Sequence, residues 1–191
     1  GLQVEGKSQI KHLVTGVTAS QALVDAAIAE EAAAILVHHG YFWRSEDPRV
    51  VGIKAQRLRA LLAADINLFA YHLPLDCHPE VGKNVTLGHL MGVADPVPLD
   101  ASATELPLYT GRLPAAIPVE QLAETMATVL DRAPLLIGEG VVQQLVWCTG
   151  AGQSYIDRAA DAGADVFITG EVSEQTVHVA RERGLAFIAA G

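Results

Sequence analysis

The chain has 191 residues, yet only 2 are cysteine and 5% are aromatic. Cys77 and Cys148 stand far apart and form no Cys-x-x-Cys, so a disulfide framework is not expected and a reducing compartment is. Cations are scarce: 13 Lys and Arg face 22 Asp and Glu, for a formal net charge of -9. Non-specific nucleic-acid binding needs clustered Lys and Arg and is therefore disfavoured. A small nucleotide whose phosphates meet metal instead is not excluded. No apolar stretch approaches the ~20 residues that span a bilayer, and none reads as a signal peptide. A cytoplasmic protein without membrane attachment is expected. The chain starts with glycine rather than methionine, and Gly191 follows an apolar run with no closing helix. Both ends therefore read as cut from a longer chain.

Half the residues are apolar, mostly small and aliphatic, with alanine abundant. That suits helices packed closely on sheets and suffices for one large core or two small ones. A strand is predicted over Ile10–Thr18. Thr18 with Gln21 three residues on reads as a capping box for a helix to about Glu31. A strand over Ala33–Val37, a helix over Ile53–Ala64 and a strand over Ile66–His72 follow. Near-continuous apolar strands linked by helices indicate a parallel sheet covered on both faces.

Residues 92–118 carry Pro96, Pro98, Pro107, Pro114 and Pro118 and read as irregular, with short edge strands. Pro118 suits the first turn of a helix over Val119–Arg132. Then come strand Val141–Cys148, the turn Thr149-Gly150-Ala151-Gly152, helix Ser154–Ala162, strand Asp165–Thr169, helix Ser173–Arg183 and strand Ala186–Ala190. Laying residue 13 on residue 145 matches Leu13-Val14 with Leu145-Val146, Gln21 with Gln153 and Asp25 with Asp157. It sets His38-His39 opposite Gly170-Glu171. The expected fold is α/β: two linked, similar units, 1–92 and 93–191, each with a largely parallel sheet flanked by helices.

His38, His39 and Asp76 each follow the end of a predicted strand of the first unit. In α/β folds that edge binds ligands. Imidazole and carboxylate ligate Zn, Mn, Fe or Ni. Adjacent residues of an extended chain point to opposite faces, so unless the backbone turns the two histidines more readily serve two metals, or one metal with the other histidine supporting a ligand, than share one. An aspartate can bridge two metals about 3.5–4 Å apart. The bland alternative is a strand end with one core and one exposed histidine, and a turn-forming aspartate after Pro74. His72 and His78 flank Asp76 and either orient a ligand or meet substrate, or are ordinary satisfied histidines. Glu171 is a candidate general base, or a partner that holds a histidine behind the site, or simply a charge favoured by the next helix. The glycine-rich turn after Cys148 either cradles an anion or is simply tight. Tyr41, Phe42 and Trp43 either stack a base or pack. Cys77 does not read as a nucleophile paired with His78, because neighbouring side chains rarely meet productively.

The stretches Gly1-Leu2-Gln3-Val4-Glu5-Gly6, Thr15-Gly16-Val17-Thr18, Val37-His38-His39-Gly40, Leu75-Asp76 and Thr169-Gly170-Glu171 resemble the Nif-three-like dinuclear metal proteins, catalogued as GTP cyclohydrolase 1 type 2 homologues. The resemblance runs from Gly1 to Gly191 and is nearest the short bacterial members. It implies two divalent metal ions per full-length subunit, with His38, His39 and Asp76 among five ligands. It sets the remaining His and Glu in a His-x-x-x-Glu motif after a strand like Ala186–Ala190, beyond Gly191. It also implies a toroidal homohexamer and hydrolytic opening of a purine nucleotide ring, chemistry that suits two metals. The alternatives are a metal-dependent phosphoesterase and a non-catalytic ring acting as scaffold or metal carrier.

Overall fold

Leu2–Val4 (β1), Leu13–Thr18 (β2), Ala34–His39 (β3) and Asn67–Ala70 (β4) form a four-stranded sheet in the order β1-β4-β3-β2. β2, β3 and β4 run parallel, and β1 closes one edge antiparallel. Gln21–Ala29 (α1) and Gly52–Ala63 (α2) supply Val24, Ala27, Leu58 and Leu61 to a core with Ile35, Val37 and Leu68. The computed structural model describes residues 1–100 and 108–191. It divides into two compact units, Gly1–Leu75 and Asp76–Gly191.

The second unit opens with Lys83–Leu90 (α4), preceded by the single turn Leu73–Asp76 (α3) that spans the boundary. Its six-stranded sheet has the order β5-β6-β8-β9-β10-β7. The strands are Val97–Pro98 (β5), Tyr109–Pro118 (β6), Leu135–Ile137 (β7), Val141–Cys148 (β8), Val166–Thr169 (β9) and Ala186–Ala189 (β10). β8, β9 and β10 are parallel; β5, β6 and β7 join antiparallel. Val119–Leu130 (α5) and α4 cover one face, where Leu145, Trp147, Ile168 and Ile188 point. Ile156–Asp161 (α6) and Glu174–Arg183 (α7) cover the other, where Val146, Cys148, Phe167 and Phe187 point. Burial on both faces is why these strands carry no polar alternation.

Several expectations need correction. The cap of α1 is Ser20, whose Oγ accepts from Leu23 N at 3.3 Å; Thr18 instead reaches the His39 ring. β3 does not stop at Val37 but runs through both histidines. The Pro-rich segment holds a ten-residue strand, β6. It tolerates Pro114 because its pairing with β8 is irregular between Arg112 and Ile117, and β5 reaches only Tyr109 and Thr110. Residues 101–107 of that segment, Pro107 included, lie outside the described residues. α4 and β7 had no periodic signal strong enough to be predicted. α4 belongs with the second core through Val85, so the units meet well before the composition change near residue 92.

The internal repeat is present in the hydrogen-bond ladder itself. Leu13 pairs with Ala34, and the same offset pairs Leu145 with Val166. Beyond β3 and β9 the units diverge, since β9 reaches β10 by a shorter connection than the one joining β3 to β4.

Replacing Ser20 with alanine should cost about 1 kcal/mol of stability in chemical denaturation, whereas Thr18→Ala should change it by less than about 0.5 kcal/mol. A thiol test follows from the second core. Burial, then the Asp76 carboxylate, pushes the Cys148 thiol up to about 11. Native protein at pH 8 should therefore release colour from an aromatic disulfide reagent through exposed Cys77 alone, Cys148 reacting only after unfolding. The raised thiol is neutral in the fold, so its contribution to stability is complete below pH 9 and declines as pH climbs towards about 11.

Candidate metal centre

Three imidazoles meet in the first unit. His38 and His39 are the last two residues of β3, and His72 follows the end of β4. β3 and β4 are adjacent and parallel, so their carboxyl ends share one edge. The ladder closes with Val37 opposite Ala70 and continues as Tyr71 N–H donating to Val37 O at 3.0 Å. His38 and His39 thus lie past the last β4 pair. His39 still pairs with Thr18 of β2, yet the two rings lie with their centroids 4.4 Å apart. The His72 ring lies 4.6 Å from that of His38 and 5.3 Å from that of His39. One ligand atom from each of the three falls within 4.8 Å of the others. A metal about 2.0–2.1 Å from each nitrogen draws such donors a little closer still, so the group is sized for a small cation.

The surroundings choose the tautomer. His38 is 7% exposed, and its Nδ1 stands 3.0 Å from the Tyr71 carbonyl. A carbonyl only accepts, so Nδ1 carries the proton, and in the neutral ring Nε2 is the nitrogen with the lone pair. The His39 Nδ1 stands 3.3 Å from Thr18 Oγ1. This is the outer support that metal-binding histidines ordinarily have.

The turn after His39 is built just as closely. The Gln3 amide donates to Tyr41 O at 2.6 Å and accepts from Tyr41 N–H at 2.7 Å, replacing a strand partner. A Cβ on Gly40 would come within 2.1 Å of the Gln3 amide oxygen, which explains why glycine follows the two histidines. Tyr41 is buried and donates its hydroxyl to Ala19 O, so of the three neighbouring aromatics it packs. Phe42 and Trp43 stay 51% and 45% exposed.

Asp76 belongs to the second unit. It is buried, and its Oδ1 receives Lys83 Nζ at 2.8 Å and Thr149 Oγ1 at 3.1 Å. The Asn84 amide ties the same stretch to β8, donating to Asp76 O and accepting from Thr149 N–H. His78 is exposed, and its Nδ1 accepts from the backbone N–H groups of Glu80 and Val81, each at 3.2 Å. Its outer nitrogen therefore carries the proton and can donate. Glu171 is exposed beside Gln153 and precedes Ser173, the cap of α7. The glycine-rich turn is a tight turn: Gly152 N–H is spent on Thr169 Oγ1 at 2.9 Å, and Thr169 donates on to Gly150 O. Burial and the Asp76 charge raise the Cys77 thiol, which disfavours a thiolate nucleophile. A cavity of about 500 Å³ lies within this unit, lined by Leu87, Cys148, Thr149 and Ile168 among others.

Sequence reasoning gave His72 only a flanking part. Its signal was available: a histidine closing the strand next to His38-His39. The contacts of Asp76 with Lys83 and Thr149 had no signal, because Thr149 is distant in the chain and α4 was not foreseen. Among the described residues, no helix is long and apolar enough to cross a membrane.

The family model described as Duf34/NIF3 (NGG1p interacting factor 3) matches residues 1–191. A relative from Haemophilus influenzae named GTP cyclohydrolase 1 type 2 homolog is 52% identical over 194 residues, spanning all of this chain and 77% of its own length. One of the same name from Escherichia coli is 52% identical over 195 residues and covered to 76%. Among solved structures, protein ybgI, described as of unknown function, superposes with a TM-score of 0.91 at 52% identity, over all of this chain and 76% of that one. TTHA1606 from Thermus thermophilus superposes with a TM-score of 0.87 at 34% identity, with the same coverage. The α/β architecture and the sequence together place this chain in the Duf34/NIF3 family.

Proposed function

We propose that the protein is a metal-dependent hydrolase whose divalent centre is built on His38, His39 and His72. The carrying observation is the convergence of three imidazole donors within 4.8 Å at the carboxyl edge of a parallel sheet. The donor chemistry suits Zn, Fe or Ni, and Mn where a carboxylate joins. When bound, such a metal lowers the pKa of water and polarises a substrate oxygen. The rest falls to the chain. His38 presents Nε2 because Tyr71 O holds its other nitrogen, and Thr18 steadies the His39 ring. The family resemblance adds Asp76 as a carboxylate ligand and a second ion. The name shared by the relatives supports a purine nucleotide as substrate, opened at the ring.

Metal analysis by mass spectrometry after exhaustive dialysis tests the centre. The wild-type chain should retain divalent metal, and His38→Ala should lose it while keeping the circular-dichroism spectrum. Thr18→Ala should weaken metal affinity roughly 10–100-fold, as losing an outer partner does. With metal added, a nucleotide panel should release formate, marking ring opening; phosphate release in its place would identify a phosphoesterase. Wild-type protein that retains no metal overturns the centre.

A further inference from the structure

We propose that Trp43 is the platform on which a planar heteroaromatic ring of the substrate lies beside the imidazoles. The proposal rests on the hydrolase reading above and adds to it a positioning residue. The indole meets His72 edge-on, with centroids 5.0 Å apart and planes at 89°, and lies 6.2 Å from the His39 ring. It nevertheless leaves 45% of its surface open. The other tryptophan of the chain, Trp147, is fully buried and donates its indole N–H to Asn84 O. A large apolar ring left half open against a cluster of metal-binding side chains is placed to meet a ligand. A flat ring stacked on it would share the same perpendicular relation to His72.

The turn is constructed to hold that position. Gln3 pins Tyr41 on both sides of its backbone, next to a Gly40 that admits no side chain. Phe42 sits at a φ of +66°, a left-handed conformation strained for an aromatic residue. It is kept there by the Glu46 carboxylate, which accepts Phe42 N–H at 3.1 Å and Lys54 Nζ at 3.0 Å. Glu46 N–H in turn donates to Trp43 O at 3.0 Å. The Lys54 ammonium lies over the Phe42 ring, 4.9 Å from its centroid, so that ring has a cation partner. The aromatic contacts of Trp43 are with the histidines. Stacking on an aromatic side chain tolerates any base, because every base has a π-face. It therefore recognises the ring and leaves the reacting atoms to the imidazole side.

The test follows tryptophan emission of the zinc-loaded protein titrated with guanosine, GTP and ribose 5-phosphate. Trp147 is shielded, so ring-dependent quenching reports Trp43. Guanosine and GTP should quench; ribose 5-phosphate should not. Trp43→Ala should weaken guanosine binding in equilibrium dialysis roughly 5–150-fold, the range expected for one lost stack, and Trp43→Phe should restore most of it. Metal content of both variants should equal that of the wild type. Guanosine binding that is the same in Trp43→Ala and wild type overturns the platform. So does equal quenching by ribose 5-phosphate. Metal content of the wild type is read separately: metal without ring binding sinks this inference alone, and absence of metal sinks the hydrolase reading.

Discussion

The parallel ladder of β2, β3 and β4 decides where the imidazoles meet. It is a backbone constraint: Thr18 must lie opposite His39, and Val37 opposite Ala70, before any side chain is considered. A slip of one residue would send every side chain of β3 to the other face, taking Ile35 and Val37 out of the core along with the histidines. Core and centre are therefore fixed by the same register. Ligand placement is a by-product of burying aliphatic side chains, which contribute roughly 25 cal/mol per Å² of apolar surface.

Around that ladder the supports pair a side chain with a backbone group or with another side chain. Tyr71 O orients His38, and Gln3 holds the Tyr41 peptide on both sides. The Tyr71 contact depends on chain path alone, whereas the Gln3 and Thr18 contacts also depend on which residue stands there. The second unit uses the same ladder for another end. The place after β8 is filled by a turn locked with Thr169, and Asp76 Oδ1 receives Lys83 and Thr149.

Much of this was legible in the chain. The apolar runs at Ala34–Val37, Val141–Cys148 and Val166–Thr169 are strands because both-face burial writes an unbroken hydrophobic signal. His38-His39 marked the edge that matters. What escaped had physical reasons. Tyr109–Pro118 hid as a strand because it carries two prolines, Pro114 where pairing lapses and Pro118 at its last position. Lys83–Leu90 hid as a helix because its glycine, threonine and asparagine dilute the period. The cap moved from Thr18 to Ser20 because Thr18 was engaged by His39, a contact between strands. His72 was underrated because its companions come from another strand.

The position that matches His38 is Gly170, and a Cβ there would come within 2.7 Å of the Gly150 carbonyl oxygen. The two copies therefore cannot exchange chemistry by simple swaps. Installing a twin set of nitrogen donors in the later copy demands rebuilding the loop after Cys148 first. A shared ladder thus does not carry a shared site: a neighbouring peptide group closes the later position to any side chain.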